Sequence, residues 1–245
     1  MSPQRPPFAA PVAALGWDDP GEPRDPNDRP SYVGPVSFAQ LPWIEDPTEI
    51  ARMRADIAIV GAPFDDAVTH RPGTRFGPRA IREAQYQTGL LHSLQLGVDP
   101  FVELVAVDAG DAAVVPGRLE FAHGEIYRKV RGVAATGAIP IVLGGDHSIT
   151  WPNATAIAGL RWPSTIGILH FDAHADTATD AYGSLASHGA PMRRLIESGA
   201  VLGKNFVQVG LRGYFPTGET LDWMRGQGMR SHFMTEIEEI GRAHV

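Results

Sequence analysis

The 245-residue chain contains no cysteine, which excludes disulfide bonds and thiolate catalysis. It has no run of eighteen apolar residues and no charged-then-apolar layout at its N-terminus, so we predict neither a membrane span nor a secretory signal. Basic residues number 21 against 28 acidic ones, and the net charge of −7 argues against nucleic acid as the main partner. We therefore expect a soluble, cytoplasmic protein.

The chain also lacks a phosphate-binding glycine loop, because Gly144-Gly145 is followed by neither the Lys nor the third Gly of a nucleotide motif. Hydrophobic residues make up 43% of the chain, which is enough for one large domain with its own core. Eleven of the 21 prolines fall within the first 47 residues. This composition predicts an extended arm over residues 1–45, disordered or lying on a neighbouring subunit.

Five short apolar runs alternate with helical patterns along the rest of the chain. The runs are ADIAIVGAPF, LVAVDAG, IPIVLGG, TIGILHF and NFVQVGLRG, each bounded by glycine, proline or aspartate. Helical patterns between them include GPRAIREAQYQTG and RLEFAHGEIYRKVRGVAATG. Strands that alternate with helices are typical of a parallel sheet with helices on both faces. We therefore predict a three-layer α/β/α fold with a mostly parallel sheet.

The most informative segment is DAHAD, residues 172–176, at the end of the fourth apolar run. In an extended strand alternate side chains point to one face, so Asp172, His174 and Asp176 are expected to share a face where the strand leaves the core. Each residue alone is more often a turn or capping residue. Two carboxylates and an imidazole that converge stay unsatisfied or repel unless a cation joins them, so together they favour a metal site.

A second apolar run ends in GGDHS, residues 144–148. The two glycines allow a tight turn that leaves Asp146 and His147 at the carboxyl end of the strand, where open α/β sheets bind ligands. Ser148 can also be the N-cap of a following helix, and both interpretations can hold at once. Further along, SHG at residues 187–189 precedes a helical pattern, and by itself it is more typical of a helix start than of a catalytic site.

Together, GGDH, DAHAD and SHG resemble the signatures of the ureohydrolase family, the arginases and agmatinases. The resemblance extends from about Tyr32 to Glu239, and the phrase GAPFDDAVTHRPGTRFGPRAIREA at residues 61–84 matches the family's first loop and helix. It implies a ureohydrolase domain over residues 46–239 with the arginase/deacetylase-like fold. It also implies a small guanidino substrate, cleaved to urea and a primary amine, and a homo-oligomer, either a trimer or a hexamer.

The resemblance implies two Mn²⁺ ions per subunit, with His147 and Asp176 on one, His174 on the other and Asp172 bridging both. Carboxylates with few imidazoles and no sulfur suit Mn²⁺, although this ligand type leaves zinc and iron open. The metal pair would activate a water molecule that attacks the guanidinium carbon. His188 matches the family's acid/base histidine and is expected to protonate the departing amine, the alternative being that it caps the next helix.

Three other groups near these motifs receive secondary roles. Asp146 is expected to orient the site by holding its neighbours rather than to bind metal. His170 alternates in phase with Asp172 but lies deeper in the strand, which favours a core histidine whose hydrogen bonds are satisfied. The arginines of residues 71–79 could form an anion site, but they would repel a cationic guanidino group. We expect them to fasten the loop after the first strand.

The substrate is indicated by one position. Arginases carry an Asn two residues after the last Asp of DAHxD, where it helps to hold the α-carboxylate of arginine, and Ala178 stands there in this chain. The missing donor disfavours arginine. The following YGSLASHGAPMRRLIESG resembles agmatinases, guanidinobutyrases and proclavaminate amidinohydrolases. Agmatine, cleaved to putrescine and urea, is the favoured substrate, and a guanidino acid is the second choice.

One family motif is missing from the sequence. The family carries S-x-D-x-D-x-x-D-P near its C-terminus, where two aspartates complete the shells of both metals, and no such string occurs here. Residues 240–245, with Glu239 at the junction, match one reading frame of a common sequencing-adapter oligonucleotide. We expect a truncated domain with a non-native tail at 240–245. Such a polypeptide is expected to be poorly soluble and to bind metal weakly.

Two alternative classes stay open. The chain could be an inactive truncated fragment or a non-catalytic metal-binding protein, or it could be a deacetylase-like hydrolase on the same general fold. The second alternative is weakened because GGDH, DAHAD and RPGTRFGP all match the ureohydrolase side. Release of urea distinguishes the favoured interpretation from both alternatives.

Overall fold

A computed structural model describes residues 35–84 and 92–242. Most of the predicted N-terminal arm and the last three residues of the predicted tail therefore lie outside the described residues. The strands are β1 (Ile57–Ala62), β2 (Ala106–Asp111), β3 (Ile139–Gly144), β4 (Ile166–Phe171), β5 (Val201–Leu211) and β6 (Arg230–Phe233). The α-helices are α1 (Pro47–Met53), α2 (Gly77–Glu83), α3 (Pro100–Glu103), α4 (Leu119–Ala135), α5 (Thr150–Arg161), α6 (Pro191–Glu197), α7 (Gly218–Gly226) and α8 (Met234–Arg242).

The strands form two parallel three-stranded sheets rather than one continuous sheet. The first has the order β2-β1-β3 and the second β4-β5-β6, and every neighbouring pair is parallel. All five predicted strands are present, and the mostly parallel α/β fold is confirmed. Helix α5 connects β3 to β4 and packs against both α4 and α6, so a helical layer joins the two halves.

Each sheet has its own apolar core. Helix α4 covers the first sheet with Ala122, Ile126, Val130 and Val133, whose spacing of three or four residues puts them on one face. The second core lies around Phe206, with further side chains from α6, α7 and the loops. No helix within the described ranges is long and apolar enough to cross a membrane.

Apolar side chains on one face of β3 and on one face of β4 are exposed to solvent. Ile139 in β3 is 66% exposed, and Leu169 and Phe171 in β4 are 62% and 71% exposed. In residues 35–84 and 92–242, β3 pairs only with β1, and β4 pairs only with β5. Each of these strands therefore presents an unpaired edge beside exposed apolar side chains, which is the arrangement that promotes association between chains.

Replacing both Ile139 and Leu169 with lysine is expected to reduce aggregation, because a charge on an exposed strand opposes edge-to-edge pairing. Light scattering against protein concentration measures the effect. Val102→Lys is the matched control, since Val102 is 79% exposed but lies on the short helix α3. Equal aggregation of the double variant, the control and the unaltered chain would contradict the assignment of this surface.

Candidate metal centre

The GGDHS segment forms a tight turn between β3 and the helices that follow. A Cβ atom on Gly145 would collide with the backbone oxygens of Ala62 and Phe64, so only glycine allows this close approach to the end of β1. The turn then places His147 at the start of a 3-10 helix over His147–Ile149, which leads directly into α5. The side chain of His147 is thus fixed at the carboxyl end of the first sheet.

The DAHAD segment differs from the prediction, because β4 ends at Phe171 before the motif begins. The Asp172 carboxylate accepts a hydrogen bond of 2.8 Å from the backbone N–H of His174, which turns the chain away from the strand direction. Asp176 then adopts a left-handed backbone conformation with φ of 51°. The three polar residues therefore do not share a strand face, and their directions are set by the turn.

Four side chains meet where these two turns approach each other. His147, His170, Asp172 and Asp176 each offer one ligand atom, and these atoms lie within 4.8 Å of one another. The Nε2 atom of His147 is 3.1 Å from Asp176 Oδ2, and Nε2 of His170 is 3.4 Å from Asp172 Oδ2. The two imidazole rings stack with centroids 5.3 Å apart. We call these four residues the metal cluster.

The metal cluster fits a divalent cation by its donor chemistry. The Nε2 atoms of His147 and His170 are both buried without a hydrogen-bond partner among the described residues. Buried polar atoms without partners are costly, and a cation between His147 and the carboxylate groups would satisfy the Nε2 atom of His147. Carboxylate oxygens and imidazole nitrogens without sulfur suit Mn²⁺, and this donor set leaves zinc and iron open as well.

The electrostatics of the cluster also favour a positive charge at its centre. Burial opposes the charged form of His147, but the nearby Asp176 and Asp172 carboxylates raise its pKa above the ordinary value. Burial and the neighbouring His147 lower the pKa of His170. Burial would raise the pKa of Asp172, but the His174 N–H and the nearby imidazoles lower it overall. The two carboxylates thus favour a positive charge beside them.

The structure places the other predicted site residues around the metal cluster rather than in it. His174 has a side chain that is 65% exposed, with Nδ1 3.5 Å from Asp172 Oδ1. His188 lies outside the metal cluster, and its Nδ1 is 2.8 Å from the backbone oxygen of Ala67. Because a carbonyl oxygen only accepts, Nδ1 of His188 carries the proton, and Nε2 is the ring nitrogen left for other chemistry.

Asp146 links the two loops that flank the site. Its carboxylate accepts hydrogen bonds from the backbone N–H groups of Ala67, at 3.0 Å, and Ser148, at 2.8 Å. Asp146 therefore caps the 3-10 helix, a role that the sequence suggested for Ser148. Because Ala67 also contacts His188, Asp146 fixes the loop on which His188 rests. The role of Asp146 in orienting the metal ligands stays a prediction.

A cavity of about 610 Å³ opens beside the metal cluster and is large enough for a small molecule. Asp176, His174 and His188 all line it, together with Ala178 and residues of the segment before α7. The cavity thus brings a candidate metal ligand and a candidate acid/base histidine to one space. These two groups are what a metal-assisted hydrolysis requires.

Comparison with known proteins identifies the family. Residues 55–245 match the model of the arginase family. The chain belongs to the arginase family. It is 37% identical over 212 residues to the human mitochondrial guanidino acid hydrolase, covering 85% of this chain and 58% of that relative. The chain thus spans less than two thirds of the length of this curated relative.

Solved structures of arginase-family proteins share the fold of this chain. Proclavaminate amidinohydrolase from Streptomyces clavuligerus has a TM-score of 0.76 at 33% identity, covering 86% of this chain and 68% of its own. The Trypanosoma cruzi formiminoglutamase with Mn²⁺ has a TM-score of 0.70 at 30% identity, covering 77% of this chain and 63% of its own. The predicted relationship to the ureohydrolases is therefore confirmed.

Sequence reasoning missed two residues that support the cluster of this arginase-family chain. Thr150 places its Oγ1 3.0 Å from His147 Nδ1, and Gln208 places its amide nitrogen 3.1 Å from His170 Nδ1. The signal for Gln208 was present, because it is the one uncharged polar side chain inside the apolar stretch FVQVGL of β5. A fully buried amide at that place requires a specific partner.

Proposed function

We propose that this protein is a metal-dependent hydrolase that cleaves a guanidino group to urea and a primary amine. The observation that carries the proposal is the Nε2 of His147, which has no hydrogen-bond partner among the described residues and lies 3.1 Å from Asp176 Oδ2, because Asp176 lines a cavity that His188 also lines. The arginase-family relationship supports this reaction class. A thiolate mechanism for guanidino hydrolysis is excluded by the absence of cysteine from the sequence.

His147, Asp172 and Asp176 would hold Mn²⁺, and when bound this ion supplies the Lewis acidity that activates water near neutral pH. The remaining steps are carried out by side chains of the protein. His188 keeps its Nδ1 proton on the oxygen of Ala67, so the lone pair of its Nε2 takes up a proton from the water molecule that adds to the guanidinium carbon and then passes that proton to the departing amine. The cavity wall holds the substrate carbon between His188 and the metal cluster. The second Mn²⁺, with His174 as a ligand and Asp172 as the bridge, stays a prediction.

Agmatine is the substrate that we propose first. Among the described residues that line the cavity, acidic side chains are Asp176 and Asp180, and none is Lys or Arg. An acidic wall suits the cationic amine of agmatine better than the carboxylate of a guanidino acid. Ala178 in the same wall offers only a methyl group where arginine would need a donor. A guanidino acid is the second candidate, and the similarity to the human guanidino acid hydrolase supports it.

A urea-release assay with Mn²⁺ across agmatine, 4-guanidinobutyrate and arginine tests the proposal. We expect kcat/KM to be highest for agmatine and lowest for arginine. Asp180→Asn should lower kcat/KM for agmatine about two- to fivefold, because an ion pair that is exposed to solvent contributes little binding energy. It should leave kcat/KM for 4-guanidinobutyrate unchanged. Asp222→Asn on α7 is the control.

Metal binding without urea release from any substrate would favour the alternative of a non-catalytic metal-binding protein. A homo-oligomer and a cytoplasmic location remain predictions.

A further inference from the structure

Gln208 makes hydrogen bonds that fix the direction of its amide. The side chain is fully buried in β5, and its Nε2 donates to the backbone oxygen of Ala175 at 2.8 Å. The same nitrogen lies 3.1 Å from Nδ1 of His170, while Oε1 accepts from the Ser231 hydroxyl at 3.3 Å. A flipped amide would set two oxygens against each other at Ala175. The nitrogen must therefore face both Ala175 and His170.

This direction determines the tautomer of His170. The amide nitrogen of Gln208 has hydrogens and no lone pair to offer, so Nδ1 of His170 has to be the acceptor. A neutral imidazole whose Nδ1 accepts carries its proton on Nε2. That nitrogen lies beside the carboxylates, 3.4 Å from Asp172 Oδ2 and 3.9 Å from Asp176 Oδ2. A protonated Nε2 cannot bind a metal ion.

His147 is held differently, although its ring stacks on that of His170. Its Nδ1 lies 3.0 Å from the hydroxyl of Thr150, and a hydroxyl can accept a hydrogen bond as well as donate one. His147 can thus keep its proton on Nδ1 and offer the Nε2 lone pair to a metal. The two histidines of the metal cluster are distinguished by their partners, an amide donor for one and a hydroxyl for the other.

We propose that Gln208 is a positioning residue that holds His170 in the Nε2–H tautomer, so that His170 orients the metal-binding carboxylates instead of binding the metal. The positively polarised N–H of His170 attracts Asp172 Oδ2 and Asp176 Oδ2 and restricts the rotation of both carboxylates, which prepares their remaining lone pairs for the ion. His147 is then the imidazole ligand of the cluster. The orienting role rests on the proposed metal site, whereas the tautomer does not.

The tautomer is measured in the metal-free protein by long-range ¹H–¹⁵N correlation spectra of ¹⁵N-histidine-labelled chain at pH 8, with His170→Gln used to assign the signal. We expect His170 to show a protonated Nε2 and an unprotonated Nδ1. Finding the proton on Nδ1 would overturn the proposal. The tautomer is read from the unaltered protein, the variant serves only to assign the signal, and the measurement is independent of metal binding and activity.

The positioning role is measured with Gln208→Met, which keeps the size of the side chain but removes the donor. We expect a mixture of His170 tautomers and Mn²⁺ binding that is about 10- to 100-fold weaker by calorimetric titration, as for other groups that orient metal ligands. Ser231→Ala, which removes only the contact to Oε1, should change neither. A shifted tautomer with unchanged Mn²⁺ affinity would overturn the positioning role. Absence of Mn²⁺ binding by the unaltered chain would instead reject the proposed metal site, while the tautomer would stand.

Discussion

Replacing Asp176 with alanine is expected to weaken Mn²⁺ binding by more than about 100-fold, since changes behind the ligands alone cost about 10- to 100-fold. Asp176 approaches both histidines of the metal cluster, and its Oδ2 lies 3.1 Å from His147 Nε2. Without this carboxylate the ion loses one oxygen ligand, and only the Asp172 carboxylate of the metal cluster is left to neutralise its positive charge. Urea release should fall below detection at Mn²⁺ concentrations that saturate the unaltered protein.

Thermal unfolding with and without Mn²⁺ provides the measurement for this variant. An ion at 100 times its Kd stabilises the folded state by about 2.7 kcal/mol, so the unaltered protein should melt at a higher temperature with Mn²⁺. Asp176→Ala should show no such increase at the same concentration. Asp222→Ala, an exposed aspartate on α7, is the control and should keep the full response. If Mn²⁺ raises the melting temperature of Asp176→Ala as much as that of the unaltered protein, Asp176 is not a metal ligand.

The second large effect is expected at His188. His188→Ala should lower kcat about 100- to 10,000-fold, the range for loss of a general acid or base. Mn²⁺ affinity should stay nearly constant, because His188 lies outside the metal cluster. This combination of a slow reaction with intact metal binding distinguishes proton transfer from ligation. Steady-state urea release and calorimetric titration of the same samples measure both quantities.

A second substitution at this position tests the alternative that His188 only supports the local chain. His188→Asn can still donate a hydrogen bond to the Ala67 oxygen, but it cannot transfer a proton near neutral pH. If His188 acts in catalysis, Asn should be nearly as slow as Ala. Recovery of most of the turnover by Asn would show that the hydrogen bond to Ala67 is what matters. His232→Ala on β6 provides an unrelated histidine as the control.

The order of strands and helices could be predicted because its signals are local. Each apolar run with its flanking glycine, proline or aspartate became a strand, and the spacing of Ile126, Val130 and Val133 marks the buried face of α4. The short strand β6 was missed, since RSHF has no apolar alternation. The separation into two sheets was not predictable either, because strand order depends on contacts between distant segments.

Three of the four residues of the metal cluster were named from the motifs, but His170 was not among the predicted ligands and the geometry was not predicted. His147, Asp172 and Asp176 were identified by motif, whereas the turn after Phe171 depends on a hydrogen bond from His174 that the strand pattern does not reveal. The predicted core histidine, His170, is buried, yet its Nε2 points at the carboxylates. Its orientation is set by a residue 38 positions along the chain, and contacts of that kind carry no local signal.

Anomalous diffraction from crystals grown with Mn²⁺, collected at the manganese absorption edge, tests the metal centre most directly. We expect a strong anomalous peak bounded by His147 Nε2 and the carboxylates of Asp172 and Asp176, with His170 Nε2 outside bonding distance. The same peak should vanish from crystals of Asp176→Ala. An empty metal cluster at saturating Mn²⁺, or a peak bonded to His170 instead of His147, would show that this metal centre is assigned wrongly.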